Sequence, residues 1–307
     1  RSRNPSQSLW LLFGNHFVLV WHSCFFWYIS SEPYREHRNM LLRTLFCFLL
    51  AASIIPSAFG VETPQTVRIG TTPVFLDDHR AFLEEWRGYL EQRLERPVVF
   101  VQRGSYREIS DMVVNGKLDF AWVCGYPYVR YKAGMRLVAV PVFKGKPLYQ
   151  SYVIVPRADT TTKSLLALEG KIYAFSDPLS NSGWLAPQAE LKRAGVDPTT
   201  FFRKTFFTWA HRKVVEAVAD GLAQGGSVDG YVWETLNILH PHLTARTRVV
   251  QKSAEYGFPP IVARPSISPQ ALDAMRTVLL RMNQDVAGKD LLKRLNGTVT
   301  EEGASKG

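Results

Sequence analysis

The chain has 307 residues, 46% hydrophobic and 21% charged, with a formal net charge of +10. That length allows two domains, and that balance excludes a disordered chain. The basic residues are dispersed, with no run of five, which argues against nucleic acid and leaves small anions or an anionic surface.

From Met40 the sequence reads "MLLRTLFCFLLAASIIPSAFGVE". Arg43, an apolar run from Leu45 to Ile55, Pro56 and the small residues Ala58 and Gly60 form the layout of a secretory signal peptide, 40–60, cut before Val61. An amphipathic or membrane helix is the alternative, but the apolar run is too short to span comfortably. Residues 1–39, with "LWLLFGNHFVLVWHSCFFWYIS", read as an upstream segment outside the working protein, or else as an anchor. Cys24 and Cys47 fall in these segments, so Cys124 is expected to be the lone cysteine after processing. No Cys follows the apolar run to carry a lipid, and a soluble exported protein is expected.

Beyond Val67 strands and helices alternate. "TVRIGTTP" reads as a strand. Asp77 to Glu95 reads as a helix, with Phe82, Leu83, Trp86, Tyr89, Leu90 and Leu94 on one face. "PVVFV", a helix from Tyr106 to Asn115, and the buried strand "LDFAWV" follow, an order that implies a parallel sheet. "YQSYVIVP" (149–156) is a strand closed by Pro156. A second unit then runs through helix "SLLALEG", strand "KIYAFS", helix 183–194, strand "KTFFT", helix 211–220, strand "SVDGYVW" and a further helix. "RTRVVQKSAEYGFPPIVAR" reads as a return strand. Ser268 and Pro269 open a helix to about Asp285, and a short basic helix and a Gly/Ser/Lys tail end the chain.

These elements imply an α/β protein of two lobes, residues 61–150 with 250–307 and residues 151–249, joined by two crossings. Ligands of parallel α/β sheets sit beyond the C-terminal ends of strands. The informative residues are therefore Thr71–Thr72, Gly104–Tyr106, Cys124–Tyr128, Asp177–Ser182, Trp209–His211 and Tyr231–Glu234. In "SDPLSNSGWL" a strand ends in small hydroxyl and amide side chains where a helix begins. Such residues cap helices, and the same junction is a ready anion site.

The stretch "LEGKIYAFSDPLSNSGWLAPQAELKRAGVDPTTFFRKTFFTWAHRKVVEAVADG", with "GGSVDGYVWE" after it, resembles the periplasmic phosphonate/phosphite/phosphate-binding proteins of ABC transporters. The resemblance runs from about Val67 to Leu295. It implies a type II periplasmic binding protein fold, two mixed or parallel sheets with an interlobe cleft, in a periplasmic monomer. It implies an oxyanion held by Ser180, Asn181 and Ser182, with His211, Tyr106 and Tyr149 as pocket residues. Asn181 stands where the family usually has Thr, and is still a donor. Pro259, in "FPPIV", stands near where aminoalkylphosphonate binders carry an Asp, which makes a ligand amine less expected. The implied partner is a transporter permease.

Cys124, at the end of "DFAWV", is either a small buried hydrophobe or a soft pocket ligand. The latter is similar to the arsenite-sensing branch of the family, whose partner is a sensor histidine kinase. A Cys124–His211 hydrolase is the rival from another class, but no nucleophile elbow or orienting acid accompanies it. His240 and His242 form only a thin metal signal. No cofactor, metal or catalytic residue is expected.

Overall fold

The computed structural model describes residues 65–72, 80–295 and 297–300. The expected upstream segment 1–39 and leader 40–60 lie outside the described residues.

The first sheet begins as a parallel trio. β1 (Val67–Thr71) pairs with β2 (Val98–Gln102) on one side and β3 (Phe120–Trp122) on the other. Helices α1 (Arg80–Leu94) and α2 (Tyr106–Val114) make the connections. On α1 the expected apolar face is buried at Phe82, Leu83, Trp86, Tyr89 and Leu90, and Trp86 meets Trp122 edge-on at 6.1 Å. Burying side chains of this size contributes roughly 1.5–3 kcal/mol each. Ser105 caps α2 by accepting the Glu108 N–H at 3.3 Å, and its hydroxyl donates to the Glu108 carboxylate at 2.9 Å. Such a cap is worth about 1 kcal/mol, and it fixes where Tyr106 enters the fold.

After α3 (Gly125–Arg130) comes β4 (Arg136–Phe143), a strand the sequence reading does not single out. "RLVAVPVF" is apolar almost throughout, so it carries no alternation to mark it. β4 pairs antiparallel with β12 (Ile261–Ala263) and β13 (Gly297–Thr300), giving the order β13-β4-β12-β3-β1-β2. β13 occupies part of what the composition marks as tail.

The second sheet contains β6 (Ser151–Pro156), β7 (Ile172–Phe175), β8 (Lys204–Phe207), β9 (Gly225–Asp229) and β10 (Thr247–Lys252), in the order β10-β6-β9-β7-β8. β7 is parallel to β8 and β9, while β6 and β10 run antiparallel. Both sheets are therefore mixed. The connecting helices are α4 (Ala186–Arg193), α5 (Pro198–Phe201), α6 (His211–Ala219), α7 (Gly230–Leu239) and α8 (Pro241–Thr244). β9 stops at Asp229, whose carboxylate accepts the Tyr231 N–H at 2.8 Å and so starts α7 inside the segment expected as strand. "SLLALEG" forms only a single 3-10 turn, Leu166–Leu168.

The chain crosses between the sheets twice. β5 (Leu148–Tyr149) and β11 (Tyr256–Gly257) pair antiparallel, Tyr149 opposite Tyr256. The single return strand expected over 246–264 is thus three pieces: β10 in the second sheet, β11 in the crossing and β12 in the first. α9 (Pro269–Arg281), opened by Ser268 as expected, and α10 (Val286–Arg294) return to pack on the first lobe. Among the described residues no helix is long and apolar enough to cross a membrane.

Candidate functional site

The site is built where β7 ends. Asp177 folds the turn by accepting the Leu179 N–H at 2.7 Å, and its carbonyl takes the Ser180 N–H at 2.9 Å. Ser180 Oγ accepts the Gly183 N–H at 2.9 Å, and the Ser180 carbonyl accepts from Leu185 at 3.0 Å. That spacing is a π turn, Asn181–Leu185, running into α4. Turns of this kind occur mostly as single-turn bulges in α-helices, frequently at functional sites. Here the wider turn brings Ser180, Asn181 and Ser182 together at one helix entry. Gly183 is required for the packing: a Cβ there would overlap Ser176 Oγ and come within 3.0 Å of His211 Cε1.

His211 opens α6 and is buried. The Asp229 N–H donates to its Nδ1 at 3.1 Å. Nδ1 is therefore an acceptor, and in the neutral ring Nε2 carries the proton. Nε2 stands 3.4 Å from Ser180 Oγ. Burial holds the imidazolium down to about 3, so the ring is neutral near pH 7 and supplies a donor rather than a charge.

The first lobe faces this turn from three strand ends. The Tyr106 N–H donates to Asp177 Oδ2 at 3.0 Å, and the Asn181 N–H to Cys124 Sγ at 3.3 Å. The Tyr126 and Trp184 rings stack at 6.4 Å. Tyr149, from the crossing, accepts from Asn181 Nδ2 at 3.0 Å. With these contacts made, the lobes are closed on each other. Burial raises the Tyr106 and Tyr149 phenols well above their ordinary range and pushes the Cys124 thiol up to about 11, so all three keep their protons.

All seven residues expected at the site, Tyr106, Cys124, Tyr149, Ser180, Asn181, Ser182 and His211, thus lie in one cluster. All are buried but Asn181, which is half-buried. Within it the hydroxyls of Tyr106 and Ser176 are buried with no hydrogen-bond partner among the described residues, and the Ser182 hydroxyl lies against the Tyr149 phenol. A buried polar atom without a partner costs about 1–3 kcal/mol. Sequence reasoning does not single out Ser176. Its only signal is its place as the last residue of "KIYAFS", since its hydroxyl is brought to the cluster by the approach of Gly183.

Two buried carboxylates stand at the edge of the cluster. Burial raises Asp177, and lifts Asp229 to about 7. Asp177 takes the Tyr106 and Leu179 N–H groups and Asp229 takes Tyr231, so both are committed to backbone. The Pro259 carbonyl accepts from Trp122 Nε1 at 2.9 Å. No hydrogen bond joins Cys124 to His211, and no group of three His, Cys, Asp or Glu side chains among the described residues is placed to share a metal ion.

Two mixed α/β lobes, crossed twice and closed over a buried cluster of uncharged donors, define a type II periplasmic binding protein. The family model of the periplasmic substrate-binding protein of phosphonate ABC transporters matches residues 69–305, and the chain belongs to that family. It is 25% identical to the phosphate-import protein PhnD of Mycolicibacterium smegmatis over 262 residues, 80% of this chain and 82% of that one. It is 22% identical to the probable ABC transporter phosphite-binding protein PhnD1 of Prochlorococcus marinus, over 68% of this chain and 74% of that one. Among solved structures, a binding protein component of a Pseudomonas aeruginosa phosphonate transporter superposes with a TM-score of 0.71 at 21% identity, covering 78% of this chain and 82% of the other. PhnD1 in complex with methylphosphonate gives 0.69 at 20% identity, covering 78% and 94%.

Proposed function

We propose that this protein captures a small phosphorus oxyanion, phosphate, phosphite or a phosphonate, between its lobes in the periplasm and hands it to a transporter permease. The observation that supports the reading is the gathering of the buried hydroxyls of Tyr106 and Ser176, without a partner among the described residues, with the Ser182 hydroxyl and the Nε2–H of His211 at a helix entry. A tetrahedral oxyanion offers many acceptor lone pairs and no donor except its own O–H. Hydroxyls and an imidazole N–H can each donate to it, and the helix dipole favours its charge. The donors are neutral, so selectivity rests on their number and direction. Only the closed form brings Tyr106, from the first lobe, against the serines of the second. Binding and closure are therefore one event, and the closed form is what a permease recognises.

The test is calorimetry with phosphate, phosphite, methylphosphonate, sulfate and arsenite on the wild type and on Ser180→Ala/Ser182→Ala. Hydrogen bonds to a charged group are worth about 1.5–3 kcal/mol each, so the double variant is expected to lose roughly two orders of magnitude for phosphorus oxyanions. Unchanged affinity in that variant would sink the assignment.

Cys124 supports one second reading, an arsenite sensor acting on a histidine kinase, because its sulfur touches the same turn. Its thiol is held protonated by burial, which opposes a thiolate ligand. Wild-type protein that binds arsenite and no phosphorus oxyanion would favour the sensor. For export, the mature protein is proposed to begin near Val61 and to act as a monomer. N-terminal sequencing of the periplasmic form checks the first point, and light scattering the second.

A further inference from the structure

Helix α7 starts beside the site histidine, and its first turn grips the other lobe. Its cap, Asp229, gives its N–H to Nδ1 of His211 at 3.1 Å and takes the Tyr231 N–H at 2.8 Å. The Gly230 N–H donates to the Gln150 carbonyl, in the crossing, at 2.9 Å. A Cβ on Gly230 would come within 2.7 Å of the Tyr152 ring, so the turn is seated tightly.

From that turn two side chains of the second lobe reach the first. Tyr231 is buried between Phe143 and Phe258, edge-on to each at 5.2 Å, in an apolar wall that includes Trp122, Ile261 and Met282. Its hydroxyl donates at 2.8 Å to the carbonyl of Leu295, the C-cap of α10, where a helix leaves carbonyls without partners of its own. Further along α7, Glu234 forms an ion pair with Lys144, in the turn between β4 and β5. The Tyr152 hydroxyl donates to the other Glu234 oxygen at 2.5 Å and so aims the carboxylate. The Glu234 side chain is 21% exposed and that of Lys144 64%, so water screens the pair only in part. Burial raises the Glu234 carboxyl, but the hydrogen bonds from Lys144 and Tyr152 outweigh it and hold the group below its ordinary value. Neither Lys144 nor Glu234 hydrogen-bonds a member of the oxyanion cluster among the described residues.

We propose, on the reading that the oxyanion binds between the lobes, that the start of α7 is an interlobe clamp: Tyr231 and the Lys144–Glu234 pair hold the closed form, part of the time without ligand, and set affinity from outside the pocket. These are positioning residues. The apparent affinity of any ligand scales with the fraction of protein already in the competent form. The clamp therefore tunes strength by one factor for every ligand and leaves selectivity to the cluster.

Lys144→Met and Glu234→Gln, singly and together, and Tyr231→Phe test it on the full chain. Calorimetry and stopped-flow fluorescence with inorganic phosphate, phosphite and methylphosphonate give affinities and rates. Each ion-pair variant should bind all three about threefold more weakly, by one common factor, through faster release rather than slower capture. The double variant should be no weaker than its singles, because both remove the same contact. Tyr231→Phe should weaken all three by about three- to tenfold. In the ligand-free protein, the Tyr106 and Asn181 N–H groups, which bond across the lobes to Asp177 and Cys124, should exchange with solvent about threefold faster in Lys144→Met.

Unchanged affinity, losses that differ from one oxyanion to the next, or additive losses in the double variant would overturn the clamp and leave the oxyanion site standing. Wild-type protein that binds none of the three would overturn the oxyanion reading, and amide exchange then decides the clamp alone. Unchanged exchange overturns the clamp in either case.

Discussion

Tyr106→Phe is the cleanest perturbation of the site because it removes one oxygen and nothing else. Tyr106 is fully buried, and its hydroxyl has no partner among the described residues. Its backbone N–H, held by Asp177, is untouched by the change. In the ligand-free protein the lost oxygen is a buried, unsatisfied one, so its removal should stabilise the fold by about 1 kcal/mol, the low end of the 1–3 kcal/mol range for such groups. For a chain of this size that is a rise of roughly 2–4 °C in Tm. In the complex the same oxygen donates to an anion, a bond worth about 1.5–3 kcal/mol, so affinity should fall roughly ten- to a hundredfold. The two effects have opposite signs, which mere packing damage cannot imitate. Thermal melts without ligand and calorimetry with methylphosphonate and phosphate measure them. A lower Tm with unchanged affinity would make Tyr106 a core residue and refute the reasoning.

Three further expectations can be checked with the same assays. Gly183→Ala places a methyl against Ser176 Oγ and His211 Cε1; oxyanion binding should be lost and stability lowered by about 1–3 kcal/mol, and wild-type affinity in that variant would contradict the tight turn. Asp229, raised from 3.8 to about 7, contributes stability present at low pH and lost as pH rises through that window. His211, lowered from 6.5 to about 3, contributes stability present above 6.5 and lost as pH falls. The two slopes oppose each other between pH 4 and 6.5, so His211→Gln should lose stability with rising pH more steeply than wild type, by up to about 1.4 kcal/mol per pH unit; equal slopes in chemical denaturation would count against a neutral buried His211. Cys124→Ser should bind phosphorus oxyanions within a few-fold of wild type, because the hydroxyls remain, and should lose some stability from a buried hydroxyl. Abolished phosphorus binding would make the sulfur a ligand contact instead.

Much of this protein was legible without coordinates. The alternation of apolar runs determined the α/β class, because a strand or an amphipathic helix is written in local periodicity. Ser268 and the serine-rich junction at Ser180 mark helix entries because a cap needs only its own chain neighbours; Asp229 caps α7 inside a segment that reads as strand. The serine-rich junction after "KIYAFS" and His211 are likewise strand-end positions, readable in chain order. Tertiary structure decided the rest. β4 escaped notice because a strand buried on both faces has no alternation. The stretch 246–264 broke into β10, β11 and β12 because the chain must change sheets there, a demand set by distant partners. Ser176 joined the site only because Gly183 packs against it, and the Pro259 carbonyl found its partner in Trp122, distant in sequence. The protonation of His211 and Cys124 also follows from burial between elements far apart in sequence. Local pattern sets which side chains stand at strand ends; the closing of two lobes sets which of them meet, and how dry the place is where they do.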